Sequence, residues 1–226
     1  MALRLFLDSA DPEAWQAWLP TGLFHGVTTN PSLLRRAGQP CDISHLGDLT
    51  RQASSLGCRE LHLQAWGGDA RQYAQCGRQL AALAPELVWV KLPITAAGSR
   101  AAVELIAAGL RVTFTACYQV SQVLAAAALA ADYIAPYLGR IAAQGRDAHA
   151  ELIAMQRCLE GCGSSTRLLV ASLRCCDDLS RLAAAGLSTF TISPALASEL
   201  FSDPATAAAA EQFESDARWQ LALPGP

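Results

Sequence analysis

The chain has 226 residues, of which 52% are hydrophobic and 16% charged, and its formal net charge is −3. This balance can supply a sizeable core. It also excludes the concentrated basic face that nucleic-acid or membrane-surface binding needs. The longest apolar stretch, 120–131, is shorter than the roughly 20 residues of a membrane-spanning helix. The first eight residues do not read as a signal peptide, and we therefore expect a cytoplasmic protein.

Short β-like runs alternate with helical runs along the chain. Segments rich in Ala, Leu and Gln, with apolar residues three and four positions apart, predict helices; examples are 70–83, 100–108, 120–130 and 177–185. Gly109 and Gly186 stand where helix C-caps are expected. A further helix is predicted over 204–219. Eight strands are predicted, over 3–8, 24–29, 60–64, 87–92, 111–115, 132–137, 167–172 and 189–193.

Strands that alternate with helices predict a parallel sheet covered by helices. Closure into one (β/α)8 TIM barrel domain over residues 1–226, with the extra C-terminal helix after the barrel, is the simplest arrangement. An open doubly wound sheet is the alternative. In barrels of this kind the reacting groups lie at the carboxyl ends of the strands. Seven of the eight predicted strands end on polar side chains, namely Asp8, Thr28, Thr29, Asn30, Gln64, Lys91, Thr115, Tyr137, Arg140, Ser172 and Arg174.

Lys91 is the only lysine of the chain, since the other 16 of the 17 basic residues are arginines. Arginine keeps its charge, whereas burial can free a lysine amine as a nucleophile. Residues 89 and 91 share one face of their strand, so Trp89 is expected below Lys91 as an apolar floor. The pattern favours amine chemistry at Lys91. The alternatives are a chance survivor in an arginine-rich sequence and a solvated residue at a strand end.

Ser172 and Arg174 follow the seventh predicted strand, and a helix begins near Cys176. Barrel enzymes often hold a phosphate at the loops after strands 7 and 8, where guanidinium groups and helix amides bind it. Arg140 follows the sixth strand and is expected to reach the same place. Together these residues indicate a sugar phosphate substrate. The alternative for each arginine taken alone is an ordinary surface residue.

Other reactive residue types do not form a recognisable site in the sequence. The eight cysteines lack CxxC spacing, and we expect reduced structural thiols rather than disulfides or metal ligands. No two histidines are spaced as a metal pair, and His62 is expected to be a buried barrel histidine, with a place beside the site as the alternative. No GxGxxG follows the first strand, which argues against a dinucleotide cofactor.

Several blocks of the sequence resemble the small transaldolases and fructose-6-phosphate aldolases of the transaldolase family. This resemblance implies a (β/α)8 barrel with a Schiff-base lysine on the fourth strand, at Lys91. It also implies roles for the matching Asp8, Asn30, Thr115, Arg140 and Ser172, a homo-oligomer, and chemistry without a metal or organic cofactor. The blocks are LFLDSAD (5–11), GVTTNPSLL (26–34), VWVKLPIT (88–95), VTFTACYQVSQVL (112–124), DYIAPYLGRI (132–141) and VASLR (170–174).

Two positions separate the branches of that family. Transaldolase-type members usually carry a glutamate at the end of the third strand and often a phenylalanine in the sixth-strand block. This sequence has Gln64 and Tyr137, as aldolase-type members do. We therefore expect a class I aldolase that cleaves fructose 6-phosphate to dihydroxyacetone and glyceraldehyde 3-phosphate. The alternatives are a transaldolase of the pentose phosphate pathway and a barrel that binds a sugar phosphate without turning it over.

The expected roles divide the site into a reacting part and a binding part. Lys91 is the nucleophile, Tyr137 is the acid/base group beside Gln64 and Thr115, and Asp8 helps to move protons. The substrate-binding residues are expected to be Thr29, Asn30, Arg140, Ser172 and Arg174. Three departures from the family pattern are expected to line or border the barrel mouth and to alter substrate choice: Phe114, Ala142 and the Arg146–Asp147 pair.

Overall fold

Eight short strands form the centre of the molecule. A computed structural model describes residues 2–221 of the chain, with side chains through Trp219. The eight predicted strands are all present, within one to two residues of their expected bounds except at the seventh, where regular pairing is shorter. They are β1 (Arg4–Asp8), β2 (Gly26–Thr28), β3 (Glu60–Gln64), β4 (Val88–Pro93), β5 (Val112–Cys117), β6 (Tyr133–Pro136), β7 (Arg167–Leu168) and β8 (Thr189–Ile192).

Helices follow the strands and cover the outside of the sheet. The predicted helix over 70–83 has the expected bounds, and the left-handed Gly109 and Gly186 follow their helices closely, at φ 75° and 95°. Several short helices were not predicted. The helices are α1 (Pro12–Trp18), α2 (Pro31–Arg36), α3 (Ile43–Ser55), α4 (Ala70–Leu83), α5 (Ala96–Ala107), α6 (Gln122–Ala128), α7 (Leu138–Ala142), α8 (Ala148–Gly161), α9 (Cys176–Ala184), α10 (Pro194–Glu199) and α11 (Pro204–Leu221).

The strands close into a barrel. Each pairs in parallel with its neighbour in the order β7-β6-β5-β4-β3-β2-β1-β8. The last gap is bridged by Val170, which follows β7: its amide donates to the Thr189 carbonyl (2.9 Å), and its carbonyl accepts from the Thr191 amide (2.8 Å). This arrangement confirms the predicted (β/α)8 TIM barrel, because the open doubly wound sheet would leave two strand edges unpaired.

Alternation along each strand divides the core into two layers. A large apolar layer lies between the strands and the helices, and a smaller one fills the barrel interior with Phe6, Trp89, Tyr133, Ala135 and Leu169. Trp89 is therefore inside the barrel, below Lys91, as predicted. It does not form a purely apolar floor, because the ring of His62 stacks on it at 5.7 Å.

Phe114 does not border the mouth of the barrel, and that expectation was wrong. Thr113 and Thr115 turn their side chains into the barrel, where they bond His62 and Tyr137. Phe114, between them in β5, therefore faces the helices and is fully buried in the outer layer. The period of two in a strand fixes this result. Phe114 can influence a substrate only through packing.

Polar side chains close the amino-terminal end of the barrel. Glu60 lies at their centre, because its carboxylate bonds Arg4 (2.7 Å), His25 (2.8 Å) and Tyr133 (2.7 Å). Burial raises the pKa of Glu60, but hydrogen bonds from His62 and Tyr133 outweigh burial and lower that pKa from 4.5 to about 2. His62 is fully buried between Glu60 and Thr113, as expected of a barrel histidine.

The predicted C-terminal helix is present as α11 but has no buried residue through Trp219. Phe213 and Trp219 on it are 70% and 66% exposed. Assembly of several copies of this chain, which would cover such side chains, stays a prediction. No helix in the described part of the chain is both long and apolar enough to cross a membrane.

Candidate active site

A cavity of about 390 Å³ opens at the carboxyl ends of the strands. Seven of the ten predicted site residues line it, and they come from strands on opposite sides of the barrel. The full lining consists of Asp8, Thr28, Asn30, Leu33, Arg36, Lys91, Ala135, Tyr137, Arg140, Leu169, Ala171, Ser172, Leu173, Arg174, Thr191 and Ser193.

Lys91 lies at the base of this cavity. It is 4% exposed, and its Nζ donates to the backbone carbonyl of Thr29 at 2.9 Å. Burial lowers the pKa of Lys91, because a low-polarity environment disfavours the ammonium form, while the charge of Asp8 acts in the opposite direction. The amine is thus both held in place and shifted towards its nucleophilic, neutral form.

Asp8 is held beside the amine by a chain of hydroxyls. Thr28 Oγ1 donates to Asp8 Oδ1 at 2.7 Å and lies 2.6 Å from Thr191 Oγ1. These contacts join the ends of β1, β2 and β8 inside the barrel. They fix the carboxylate at the cavity wall, where it can accept or return a proton.

Tyr137 brings a phenol to the opposite wall. Its hydroxyl lies 2.7 Å from Thr115 Oγ1. Burial raises the pKa of Tyr137, although the hydrogen bond with Thr115 opposes the shift. The phenol is therefore protonated at neutral pH and can act as an acid.

Gln64 pairs with Lys91 in the register of β3 and β4 and is half-buried, but it does not line the cavity.

Three arginines border the cavity: Arg36 on α2, Arg140 on α7 and Arg174 before α9. Within the described residues, none of them forms an ion pair with a carboxylate. Among the lining residues Asp8 carries the one carboxylate, so the cationic side chains are in excess. Such a site suits an anionic substrate.

The segments that follow β6 and β7 touch at Gly139, which lies in α7. Its amide donates to the Ser172 carbonyl at 2.9 Å. A Cβ on Gly139 would lie 2.4 Å from Arg174 Nε and 2.7 Å from Ser172 O, so only glycine fits here. Ser172 itself adopts a left-handed backbone, with φ 62°, which is unfavourable for a residue with a side chain. The surrounding contacts impose this backbone, a pattern often found at binding sites.

Three predicted residues lie off the cavity surface: Thr29, Gln64 and Thr115. Thr115 reaches the site through Tyr137. Thr29 contributes its backbone carbonyl to Lys91, while its own hydroxyl is buried without a hydrogen-bond partner. Arg36 was not predicted as a site residue because α2 was not predicted, although Asn30 followed by Pro31 is a typical helix-start signal.

Ala142 and Arg146–Asp147, the other departures noted in the sequence, follow Arg140 along the chain. Ala142 is exposed at the end of α7 and does not line the cavity. Asp147 caps α8 by accepting from the Ala150 amide at 3.0 Å. Arg146 is hydrogen-bonded to several residues next to the mouth.

Within the described residues no group of His, Cys, Asp and Glu side chains is placed to hold a metal ion.

Known proteins resemble this chain over almost its whole length. The sequence profile of the family described as "Transaldolase/Fructose-6-phosphate aldolase" matches residues 5–224. This chain belongs to the transaldolase/fructose-6-phosphate aldolase family. It is 33% identical over 216 residues to a protein named "Probable transaldolase" from Caulobacter sp., and the match covers 95% of this chain and 96% of the relative.

Two further relatives show similar agreement. A "Probable transaldolase" of Phenylobacterium zucineum is 32% identical over 217 residues, 95% of this chain and 96% of its own. A "Probable transaldolase 2" of Listeria monocytogenes is 31% identical over 214 residues, 95% of each chain. Membership of the transaldolase/fructose-6-phosphate aldolase family implies an enzyme of aldolase or transaldolase type and sugar phosphate substrates.

Proposed function

We propose that this protein is a class I aldolase that cleaves the C3–C4 bond of fructose 6-phosphate through a Schiff base on Lys91. The observation that carries the proposal is the buried amine at the cavity base, held 2.9 Å from the Thr29 carbonyl. A lysine whose charged form is disfavoured by burial, in one cavity with a carboxylate and a phenol, has the groups that imine chemistry requires.

The first step joins the substrate to the enzyme. Lys91 Nζ attacks the C2 carbonyl of the ketose, and loss of one water molecule leaves an iminium ion. Asp8 accepts and returns the protons that this dehydration moves. Asp8 and Asn30 bind the hydroxyls of the three-carbon unit. Asn30 also caps α2, since its side chain accepts from the Leu33 amide at 3.0 Å.

The second step breaks the C3–C4 bond. Its electron pair moves towards the iminium nitrogen and leaves an enamine on Lys91, while the C4 hydroxyl loses its proton and becomes the aldehyde. A water molecule near Gln64, Thr115 and Tyr137 carries that proton away. Tyr137 then protonates C3 of the enamine, and hydrolysis of the iminium releases dihydroxyacetone and the free amine. No metal or organic cofactor enters these steps.

Phosphate recognition is assigned to Arg140, Ser172 and Arg174, beyond the aldehyde end of the substrate. A planar guanidinium offers two parallel donors to a phosphate, and the Arg140 group lies over the Tyr137 ring at 4.9 Å. This contact keeps Arg140 close to the acid/base group. We add Arg36 to the binding set because it lines the cavity from the β2 side.

Transaldolase activity is the second candidate. The names printed for the relatives favour it, and the same enamine can attack an acceptor aldehyde instead of a proton. The neutral amide of Gln64 beside Lys91 favours the aldolase, because it leaves Tyr137 as the group that protonates the enamine. A carboxylate at position 64 would be the better base for the acceptor path.

The experiment that separates these candidates measures glyceraldehyde 3-phosphate release from fructose 6-phosphate without an acceptor. Sustained release over many turnovers is the expected result. Release limited to one equivalent, with turnover restored by erythrose 4-phosphate, would identify a transaldolase. Borohydride trapping provides the control: the wild type should gain a stable adduct on Lys91, and Lys91→Met should gain none. Failure to trap any adduct would overturn Schiff-base chemistry.

A further inference from the structure

Arg146 joins two loops at the barrel mouth. Its Nη1 donates to the Tyr118 carbonyl at 2.8 Å, and its Nη2 donates to Gln119 Oε1 at 3.2 Å. Its Nε donates to Glu151 Oε1 at 2.7 Å, and Nη2 pairs with the other carboxylate oxygen. The loop after β5 is thereby tied to the start of α8.

This contact set needs an arginine. Acceptors from three segments surround one planar group, because Gln144 Oε1 also accepts from Nη1 at 3.2 Å. A lysine ammonium has three donors at a single atom and cannot span them all. The Arg146 and Glu151 side chains are 24% and 22% exposed, so the pair is shielded more than an ordinary surface ion pair.

The loop that Arg146 holds carries Tyr118, which contacts two groups of the site. The Tyr118 hydroxyl accepts from Arg140 Nη1 at 3.2 Å. Its ring meets the Tyr137 ring edge-on, with centroids 5.7 Å apart and planes at 82°. Movement of the Tyr118 segment would therefore displace both the guanidinium assigned to the phosphate and the phenol assigned to proton transfer.

We propose that Arg146, fixed by Glu151, is a positioning residue that holds the Tyr118 loop so that the Tyr118 hydroxyl aligns Arg140 for the substrate phosphate. The inference rests on the proposed function for the identity of the phosphate group. Arg146 touches no cavity surface itself. It acts through Tyr118, and its effect belongs mainly to binding rather than to the chemical step.

The test compares phosphorylated and unphosphorylated substrates. Arg146→Met should raise KM for fructose 6-phosphate about tenfold, the equivalent of about 1.4 kcal/mol, with a much smaller change in kcat. Fructose should lose far less kcat/KM, because it presents no phosphate to Arg140. Tyr118→Phe keeps the ring against Tyr137 but removes the acceptor for Arg140, and it should reproduce the KM effect. Arg146→Lys should fall between Arg146→Met and wild type.

Binding of inorganic phosphate, measured by calorimetry, gives a readout that does not depend on turnover. It should weaken in Arg146→Met and Tyr118→Phe even if the chain proves to catalyse another reaction, so the inference and the proposed function can fail separately. Arg181→Met is the matched control, because Arg181 pairs with Asp177 on the exposed face of α9, away from the cavity.

Three results would overturn the inference. One is unchanged phosphate affinity and KM in Arg146→Met. Another is an equal loss of kcat/KM for fructose and fructose 6-phosphate, which would indicate a general structural defect. The third is weakened binding in Arg146→Met with wild-type behaviour in Tyr118→Phe, which would exclude the path through Tyr118. If Arg146→Met fails to fold, the KM and the phosphate affinity of Tyr118→Phe and Glu151→Gln still test the inference.

Discussion

Replacing Gly139 with alanine tests whether contact between the β6 and β7 loops sets phosphate recognition. The added Cβ would lie 2.7 Å from the Ser172 carbonyl oxygen, whereas ordinary contact begins at 3.4 Å, so this oxygen must retreat by 3.4 − 2.7 = 0.7 Å. Arg174 Nε, at 2.4 Å, must retreat by 3.4 − 2.4 = 1.0 Å. Both atoms belong to the segment assigned to the phosphate.

The expected losses follow from these displacements. Overpacking of this kind costs about 1–3 kcal/mol of stability, and each kcal/mol lowers the Tm of a chain of this size by roughly 2–4 °C. A displacement near 1 Å in a binding group can lower activity on the order of 100-fold. Gly139→Ala should therefore lose 10- to 100-fold in kcat/KM for fructose 6-phosphate, mainly through KM, and clearly less for fructose.

Steady-state kinetics and thermal unfolding of the same preparations provide the assay. Gly161→Ala is the matched control, because a Cβ at Gly161 meets no atom within 4 Å. That variant should keep wild-type kinetics. Wild-type kcat/KM and Tm in Gly139→Ala would refute the reasoning, because the two loops would then separate without consequence for the site.

Three further predictions concern single side chains. Gln64→Glu should raise the ratio of transfer to cleavage when erythrose 4-phosphate is added, and an unchanged ratio would count against the role given to Gln64. Arg36→Ala should raise KM for fructose 6-phosphate about two- to fivefold, as expected for an exposed charge, while Arg35→Ala, which is off the cavity, should not. Burial lowers the pKa of His62 from 6.5 to about 4, so between these pH values the unfolded state binds a proton that the folded state does not. The free energy of unfolding should accordingly fall by about 3 kcal/mol from pH 6.5 to pH 4 because of this residue, and a denaturation series on His62→Asn that kept the full fall would contradict the assignment.

The barrel and the place of Lys91 could be predicted because both depend on local alternation. Eight strand-like runs separated by helical ones leave few arrangements, and a lone lysine among apolar neighbours in β4 is expected to be buried. The same alternation, applied to β5, would have placed Phe114 outside the barrel. The expectation for Phe114 was wrong because neighbouring residues in a strand face opposite sides of the sheet.

Other parts of the site depend on contacts that no local pattern contains. The bonds from Arg146 to the Tyr118 loop span 28 residues, and those between Thr28 and Thr191 span 163. The close approach of Gly139 to Ser172 likewise appears only when β6 and β7 lie side by side. Sequence reasoning therefore identified the residues that line the cavity more completely than the residues that hold them in position.

The polar cluster around Glu60 closes the amino-terminal end of the barrel and so affects how molecules enter and leave the cavity at the other end. Arg4, His25 and Tyr133 close the lower end around that carboxylate, and the aromatic layer of Phe6 and Trp89 fills the interior above it. In the proposed mechanism, the departing aldehyde, an incoming acceptor and the hydrolytic water consequently share the entrance at the mouth of the barrel. Under that proposal, an acceptor approaches the enamine only after the first aldehyde has left, so the rate of exchange through this entrance sets the lifetime of the covalent intermediate.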